Sequence, residues 1–396
     1  MADGLCAYRA DRAFDGDRVR PDGALVLVRD GRIAGVEPAS APAPDGCEVR
    51  HVPGTTLLPG LVDAHVHLCA DSGPRALDQL PELDPEALDA IVTTALAAQL
   101  AAGVTAVRDL GDRDWTVLGR RGGDGPAVVA AGPPITTIGG HCWGMGGGVS
   151  DVDGLRAAVR ERAERGADVV KIMASGGAMT TTTDVLACQF SLDELRVVVE
   201  EAHGLGLPVT AHAHATEAVR QVVEAGVDGI EHCTCIVPGG FSTPPGLAER
   251  IAAAGIAVCP TLGRAVGAQP PPQVLAVMAR TGMTYEGRME QVAGLYRAGV
   301  RLVSGADAGI NPGKPHGVLP ESVGDLVGLG VPPVAALASA TSVAAEACGL
   351  AGRTGRLLPG LDADLLLVDG DPTTDITALR AVRHVVSRGR DVPAGR

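Results

Sequence analysis

Hydrophobic positions after residue 60 alternate between two patterns. Helical stretches that end in glycine are followed by short apolar runs, as in "ALDAIVTTALAAQLAAG" before "VTAVRDL" and "GLRAAVRERAERGA" before "DVVKIMA". The closing glycines fit helix C-cap positions, and Ser191 with Glu194 forms a capping box at one helix start. The alternation therefore predicts strands connected by helices, as in an α/β protein.

The apolar runs predict eight strands, the first in "HVHL" and the last in "VRLVSGADAG". Eight strands that alternate with helices are typical of a (β/α)₈ TIM barrel, whose catalytic groups lie at the carboxyl ends of the strands. The alternative is an open doubly wound sheet, but no G-x-G-x-x-G motif opens a helix after the first strand. We therefore predict a barrel over residues 59–352.

The two ends of the chain have a strand-like pattern instead. "ALVLVRDGRIAGVEP" has a DG turn between apolar runs, which indicates a hairpin. After residue 352, "GRLLPGLDADLLLVDGDP" and "VRHVVSRGR" return to strand patterning. We predict that residues 1–58 and 353–396 pair as one small β-sandwich domain.

Composition and charge narrow the class of protein. A formal net charge of −14 argues against nucleic acid or anionic membrane as a partner, since both require clustered Lys and Arg. No apolar run has the length of a membrane span, and the N-terminal stretch lacks the hydrophobic region of a signal peptide. The nine cysteines lack C-x-x-C spacing, which favours reduced, buried thiols. We expect a cytoplasmic protein with a small-molecule substrate, and a homo-oligomer stays open.

Polar residues stand at the ends of five predicted strands, where apolar residues are the ordinary expectation. His65 and His67 share one face of the first strand, because side chains alternate along a strand. Buried polar groups are costly without partners, so a set at one end of a barrel indicates a shared metal site. The six residues are His65, His67, Lys171, His212, His232 and Asp307.

These residues lie in motifs that resemble the amidohydrolase superfamily of metal-dependent hydrolases. The similarity includes "LLPGLVDAHVHL", "GGHCWGMGG", "GADVVKIMASGG", "GLPVTAHAH", "AGVDGIEHC" and "SGADAG" and continues into the tail "GRTGRLLPGLDADLLLVDGDP". Within the superfamily the chain most resembles the branch of imidazolonepropionase-like proteins and metal-dependent Xaa-Pro and Xaa-Arg dipeptidases. The motif set is specific only in combination.

The resemblance implies a binuclear metal centre. His65 and His67 would hold the first ion with Asp307, and His212 and His232 would hold the second. Imidazole and carboxylate ligands suit Zn²⁺, while Fe, Mn and Co stay open.

Lys171 separates this chain from imidazolonepropionases proper, which resemble a mononuclear arrangement without that lysine. The resemblance implies that Lys171 is carboxylated by CO₂ and bridges the two ions as a carbamate. Lys171 and His232 would then act through the ions they hold. The implied nucleophile is a metal-bridging hydroxide, whose proton Asp307 takes and returns to the leaving nitrogen.

Four further residues are candidates for contact with substrate. His141 lies in the glycine-rich "GGHCW" loop, and His214 shares a face with His212. Trp143 and His316 are the other two, and each of the four also has an interpretation as ordinary packing.

The predicted activity is hydrolysis of C–N bonds in small substrates such as dipeptides or N-acyl amino acids. His214 occupies the position where relatives that bind a substrate carboxylate tend to have tyrosine, so lactones, lactams, carbamates and organophosphates stay open. Two alternatives are a deaminase or cyclic-amidine hydrolase on the same site, and a non-catalytic metal-binding scaffold.

Overall fold

Parallel strands form the centre of the computed structural model, which describes residues 4–393. The amino-terminal strands are β1 (Cys6–Ala10), β2 (Arg12–Phe14), β3 (Val19–Arg20), β4 (Ala24–Arg29), β5 (Arg32–Glu37), β6 (Glu48–His51) and β7 (Thr55–Pro59). The central strands are β8 (Leu61–Val66), β9 (Val104–Asp109), β10 (Ala127–Ala130), β11 (Thr136–Thr137), β12 (Gly148–Val149), β13 (Val170–Met173), β14 (Val209–Ala215), β15 (Gly229–Val237), β16 (Gly240–Phe241), β17 (Ala257–Cys259) and β18 (Arg301–Leu302). The last strands are β19 (Leu365–Asp369), β20 (Val382–Ser387) and β21 (Arg390–Asp391).

Each of the eight predicted apolar runs overlaps a central strand. These strands form two parallel sheets, β10-β9-β8 and β13-β14-β15-β17-β18, and β16 pairs antiparallel with β15. Isolated parallel bridges, Val66 with Ala308 and Ile135 with Ile172, connect the two sheets. All eight strands therefore run in the same direction, and their carboxyl ends lie on the same side.

Helices connect the central strands, as the alternating pattern predicts. They are α1 (Pro85–Ala101), α2 (Val152–Glu164), α3 (Leu192–Gly204), α4 (Thr216–Ala225), α5 (Leu247–Ala253), α6 (Pro272–Thr281), α7 (Tyr285–Arg297), α8 (Leu319–Gly328), α9 (Pro333–Ser339) and α10 (Ser342–Ala347). Single 3₁₀ turns lie at Leu80–Glu82, Leu118–Arg120, Trp143–Met145 and Ile376–Arg380. The predicted capping box is confirmed, since Ser191 Oγ accepts from the Glu194 N–H and the Glu194 side chain accepts from the Ser191 N–H.

The two chain ends meet in the terminal sheets. Strand β19 pairs antiparallel with β7, which places Leu367 opposite Leu57 in the sheet β21-β20-β19-β7-β2-β3. A second sheet has the order β5-β4-β1-β6. Buried residues of both sheets, among them Tyr8, Val26 and Leu365, form a hydrophobic cluster separate from the main core. The outermost residues of the predicted terminal segments, 1–3 and 394–396, lie outside the described part.

Among residues 4–393, no helix is both long enough and apolar enough to cross a membrane. All nine cysteines lie within this range, and each is a free thiol. Cys233 and Cys235 are fully buried in the main core, where they pack beside apolar side chains.

Candidate metal centre

The carboxyl ends of the central strands surround a cavity of about 650 Å³. All six residues that the sequence predicts at strand ends line this cavity, and each is buried. The structure therefore brings together positions that are up to 242 residues apart (307 − 65) in the chain. The six are His65, His67, Lys171, His212, His232 and Asp307.

His65, His67 and Asp307 form one compact group, named here the Asp307 cluster. The Nε2 atoms of the two imidazoles are 3.3 Å apart, and Asp307 Oδ1 lies 3.4 Å from that of His65 and 3.3 Å from that of His67. Strand β8 supplies both histidines, and the Asp307 N–H donates to the His65 carbonyl at 2.8 Å. This backbone bond fixes the aspartate against the strand.

A buried ionic network holds His65 from behind. Its Nδ1 donates to Glu231 Oε2 at 2.7 Å. The other oxygen of Glu231 accepts from Arg108 at 2.9 Å and from the Thr210 hydroxyl at 2.6 Å. Glu231 directly precedes His232, so strand alternation directs its side chain away from His232, and there it reaches His65. Because the carboxylate accepts a hydrogen bond from the Nδ1–H of His65, the Nε2 lone pair of His65 faces the cluster.

The second group, named here the His214 cluster, contains His212, His214 and His232. Their ring centroids are 4.5 to 4.6 Å apart. His232 Nδ1 lies 2.8 Å from the Thr261 hydroxyl, which itself donates to a backbone carbonyl and so can only accept from the imidazole. His214 Nδ1 has the same relation to the Thr234 hydroxyl at 2.9 Å.

Both clusters direct unprotonated nitrogens inward. His67 Nδ1 donates to the Gly111 carbonyl at 2.9 Å, and His212 Nε2 donates to the Gly176 carbonyl at 3.1 Å. Each of the five imidazoles thus donates its one N–H to an acceptor outside its cluster. In the Asp307 cluster, two imidazole nitrogens and a carboxylate oxygen face one another, an arrangement that a cation between them, a proton or a metal ion, would stabilise.

The electrostatics agree with this arrangement. Burial lowers the pKa of His65 to about 4 and that of His214 to about 3, so both imidazoles are neutral at pH 7. Burial also disfavours the charged form of His67, but Asp307 overrides this and raises its pKa. The two imidazoles in turn hold the pKa of Asp307 below its usual range despite burial. The Asp307 cluster therefore attracts positive charge.

Lys171 lies in the same cavity on β13 and is 1% exposed. Burial lowers the pKa of its ammonium, with Arg108 adding to the effect. Its amino group makes no hydrogen bond with any residue between 4 and 393. This setting shifts the lysine toward the neutral, nucleophilic amine.

His141 contacts both the cavity and the loop of residues 175–184. Its Nδ1 lies 2.8 Å from the Thr180 hydroxyl, and its ring centroid lies 4.5 Å from that of His212. A Cβ at Gly177 would fall 2.3 Å from the His141 ring, so this position has room only for glycine. The loop and His141 therefore hold each other in place at the edge of the His214 cluster.

Two predicted substrate contacts lie elsewhere. Trp143 is 51% exposed on a single 3₁₀ turn that buries Met145, and it does not line the cavity. His316 Nε2 donates to the Ala70 carbonyl at 2.9 Å and likewise does not line the cavity. Neither Trp143 nor His316 therefore lies on the cavity wall, and their contact with substrate stays a prediction.

The sequence analysis did not identify Arg108, although this residue interrupts the apolar run "VTAVRDL" on β9. It also did not predict the backbone conformation of the residues at the site. His232 and Asp307 have φ values of +65° and +56°, in the left-handed region that costs a non-glycine residue about 1–3 kcal/mol. Thr261, which holds His232, has φ +51°. Such strain concentrates at functional sites and has no sequence signature.

Comparison with known proteins supports one family. A profile described as "Amidohydrolase family" matches residues 56–392. The ochratoxinase of Aspergillus niger is 26% identical over 374 residues, which cover 84% of this chain and 75% of that protein.

Two solved structures are similar over almost the whole chain. A Xaa-Pro dipeptidase with methionine bound in its active site has a TM-score of 0.86 at 26% identity, covering 98% of this chain and 100% of that one. A prolidase in complex with N-methylphosphonate-L-proline has a TM-score of 0.84 at 28% identity, covering 98% and 99%.

These similarities confirm the resemblance stated from the motifs, including the dipeptidase branch. The family profile covers well over half of the chain. Together with the dipeptidase neighbours, it identifies a hydrolase that acts on C–N bonds in small substrates. The chain belongs to the amidohydrolase family.

Proposed function

We propose that the protein is a binuclear metal-dependent hydrolase of amide bonds in dipeptides or N-acyl amino acids. The two central sheets would close into one (β/α)₈ barrel, which the bridges at both sheet junctions support. Residues 59–352 would form this barrel, and the two chain ends would form a small β-sandwich domain. The shared hydrophobic cluster of the terminal sheets supports that division.

The observation that carries the proposal is the inward direction of five imidazole lone pairs. His65, His67 and Asp307 would hold one divalent ion, and His212 and His232 a second. Nitrogen and carboxylate donors suit Zn²⁺.

Lys171 would bridge the two ions after reaction with CO₂. The neutral amine would attack the carbon of CO₂, so that a C–N bond forms while one C=O π bond opens onto oxygen, and the nitrogen would release its proton to water to leave a carbamate anion. An ammonium between two cations would be repelled, whereas the carbamate offers two oxygens with negative charge. Burial of Lys171 without a hydrogen-bond partner among the described residues supports the neutral amine.

When bound, the two ions would lower the pKa of a water molecule toward neutrality and polarise the substrate carbonyl. Asp307 would accept the proton of that water at its carboxylate and return it to the leaving nitrogen. Its Oδ1 faces the imidazoles, and Oδ2 has no hydrogen bond with any residue that the structure describes, which leaves that oxygen available. His141 and His214, which line the cavity, would contact the substrate.

Metal analysis and kinetics test this proposal together. The enzyme is loaded with Zn²⁺ in bicarbonate and assayed against a panel of dipeptides and N-acyl amino acids. We expect two ions per chain and a carbamate signal in ¹³C NMR after labelling with ¹³CO₂. Asp307→Asn is expected to lower kcat by roughly 10²–10⁴-fold while the fold is retained. Lys171→Arg is expected to lose the carbamate signal and one ion.

Three results would contradict it: one ion per chain at saturation, a carbamate signal absent from the wild type, or undiminished turnover in Asp307→Asn. Circular dichroism of each variant separates loss of activity from loss of the fold.

A further inference from the structure

Three cations line the cavity beyond the two histidine clusters, namely Arg264, Arg288 and Lys314. Throughout residues 4–393, no carboxylate oxygen lies within ion-pairing distance of any of them. Arg288 and Lys314 donate to neutral carbonyl oxygens, at 2.7 to 3.1 Å for those of the backbone. These bonds tie the segment after β17 in place but leave Arg288 and Lys314 without a direct ion pair.

Arg264 is the freest of the three. It is partly exposed to the cavity, and its guanidinium makes no hydrogen bond within the described part of the chain. Two carboxylates also line this region, but both are engaged. Asp325 accepts from a backbone N–H at 2.9 Å and from the Tyr285 hydroxyl at 3.3 Å, and Glu321 pairs with Arg380.

Cations without a direct ion pair in a partly desolvated cavity are less stable than cations that pair with an anion. Their presence is not a consequence of an overall excess of positive charge, because the chain carries a formal net charge of −14. The chain outside the metal centre therefore provides an anion-binding region that its own carboxylates do not fill.

The opposite wall is apolar. Val274, Val277 and Met278 on α6 have helical spacing of three and four residues, so they share one face, and this face lines the cavity. Each is only partly buried, and none belongs to a hydrophobic core cluster of the described residues. This face is as apolar as a helix face that packs against protein, but on the cavity side no described residue of the core packs against it.

We propose that the substrate is an amide that carries both a carboxylate, which Arg264 binds, and a bulky apolar group, which lies against the α6 face. A cavity of about 650 Å³ accommodates more than a dipeptide of small residues. Arg264 would then decide specificity through a charge-assisted hydrogen bond, which is geometrically favoured between guanidinium and carboxylate. This inference rests on the proposed amide hydrolysis and adds the class of substrate.

A matched pair of compounds tests the carboxylate contact. N-benzoyl-L-leucine has the carboxylate, N-(3-methylbutyl)benzamide lacks only that group, and both release benzoate. In the Zn²⁺-loaded wild type we expect higher kcat/KM for the acid. Arg264→Met should lower kcat/KM for the acid by about 10- to 100-fold and leave the benzamide within about twofold. Arg264→Lys should restore part of the difference, and Arg250→Met, at an exposed position on α5, should change neither.

Equal loss for both compounds in Arg264→Met would assign the residue a structural role and overturn the inference, as would no loss for either. If the wild type hydrolyses neither compound, the proposed activity on such amides fails, and calorimetric titration decides the recognition separately. Binding of the acid that Arg264→Met abolishes would still support the anion site. Absence of such binding in the wild type would overturn it.

The apolar wall has its own test. Val277→Ser should lower kcat/KM for N-benzoyl-L-leucine about fivefold by removing apolar contact area, while Ala276→Ser, at an exposed position on the same helix, should have no effect. A change in oligomeric state of Val277→Ser without a change in kcat/KM would mean that a second copy of the chain covers this face, and would overturn its assignment to substrate.

Discussion

The Asp307 cluster and the His214 cluster lie side by side, yet they are supported differently. Behind His65 stands a buried carboxylate with its own arginine and hydroxyl partners. Behind His232 and His214 stand single threonine hydroxyls, at 2.8 and 2.9 Å. The first cluster is braced by charge and the second by neutral hydrogen bonds.

The difference teaches that the proposed ions should be held unequally. A charged partner makes an imidazole more basic and fixes its orientation more strongly than a hydroxyl does. The Asp307 cluster also contributes a carboxylate of its own. Under chelation, the ion at the His214 cluster should therefore leave first.

Glu231→Gln should have the largest effect on the difference in metal affinity between the two clusters. It keeps the shape of the side chain but removes the charge, which leaves Arg108 buried without its carboxylate. We expect a loss of stability on the order of 3 kcal/mol and a 10- to 100-fold weaker metal affinity at the Asp307 cluster. Chelator titration with metal analysis would then show both ions leaving together.

Glu201→Gln is the matched control, because Glu201 is held by Arg156 and Arg160 at a site outside the cavity. It should leave both the stability and the metal affinity close to those of the wild type, because exposed ion pairs contribute little. Unaltered metal release in Glu231→Gln would remove the basis of the comparison.

Asp364 lies outside both clusters, and its titration gives a pH dependence of stability that does not involve the metal centre. Burial raises the pKa of this carboxyl from 3.8 to about 6. The unfolded chain therefore loses its proton first as pH rises from about 4 to 6, and the folded state becomes less stable over that window. Asp364→Asn should remove this dependence and be more stable above pH 6, by up to about 3 kcal/mol. Denaturant titrations at pH 4, 6 and 8 would measure it, and an identical pH profile for both proteins would contradict it.

Thr261→Val should have the smallest effect. It keeps the β-branched shape but removes the oxygen that accepts from His232, at a cost of about 1 kcal/mol. The ion at the His214 cluster should be bound about fivefold more weakly, while the Asp307 cluster is unaffected. Thr261→Ser should behave like the wild type in the same titration, and a loss as large as that of Glu231→Gln would show that hydroxyl support is not the weaker kind.

Much of the site follows from one rule, that polar residues directly after apolar runs meet at the carboxyl ends of parallel strands. His65, Lys171 and Asp307 obey it, although they belong to three different strand segments. The rule works because strand direction and burial are encoded in local hydrophobic patterns. The same patterns predict the connecting helices and the Ser191 capping box.

What the rule misses depends on tertiary geometry. Strand alternation turns Glu231 away from His232, but only the arrangement of the strands in the sheet brings its carboxylate to the back of His65. The cations at Arg264 and Arg288 lie in a connection and a helix, where isolated basic residues ordinarily face solvent. For Glu231 and Arg288 the deciding fact is a contact between segments distant in the sequence.

Lys171 and Lys314 are the only lysines in the sequence, and both line the cavity. Every exposed basic side chain is therefore an arginine or a histidine, which amine-directed reagents modify poorly. Apart from an amine at the chain terminus, a covalent acylating probe meets primary amines only inside this cavity. Labelling stoichiometry, read by mass spectrometry, would thus report directly on whether the cavity is open, blocked by a ligand, or chemically capped.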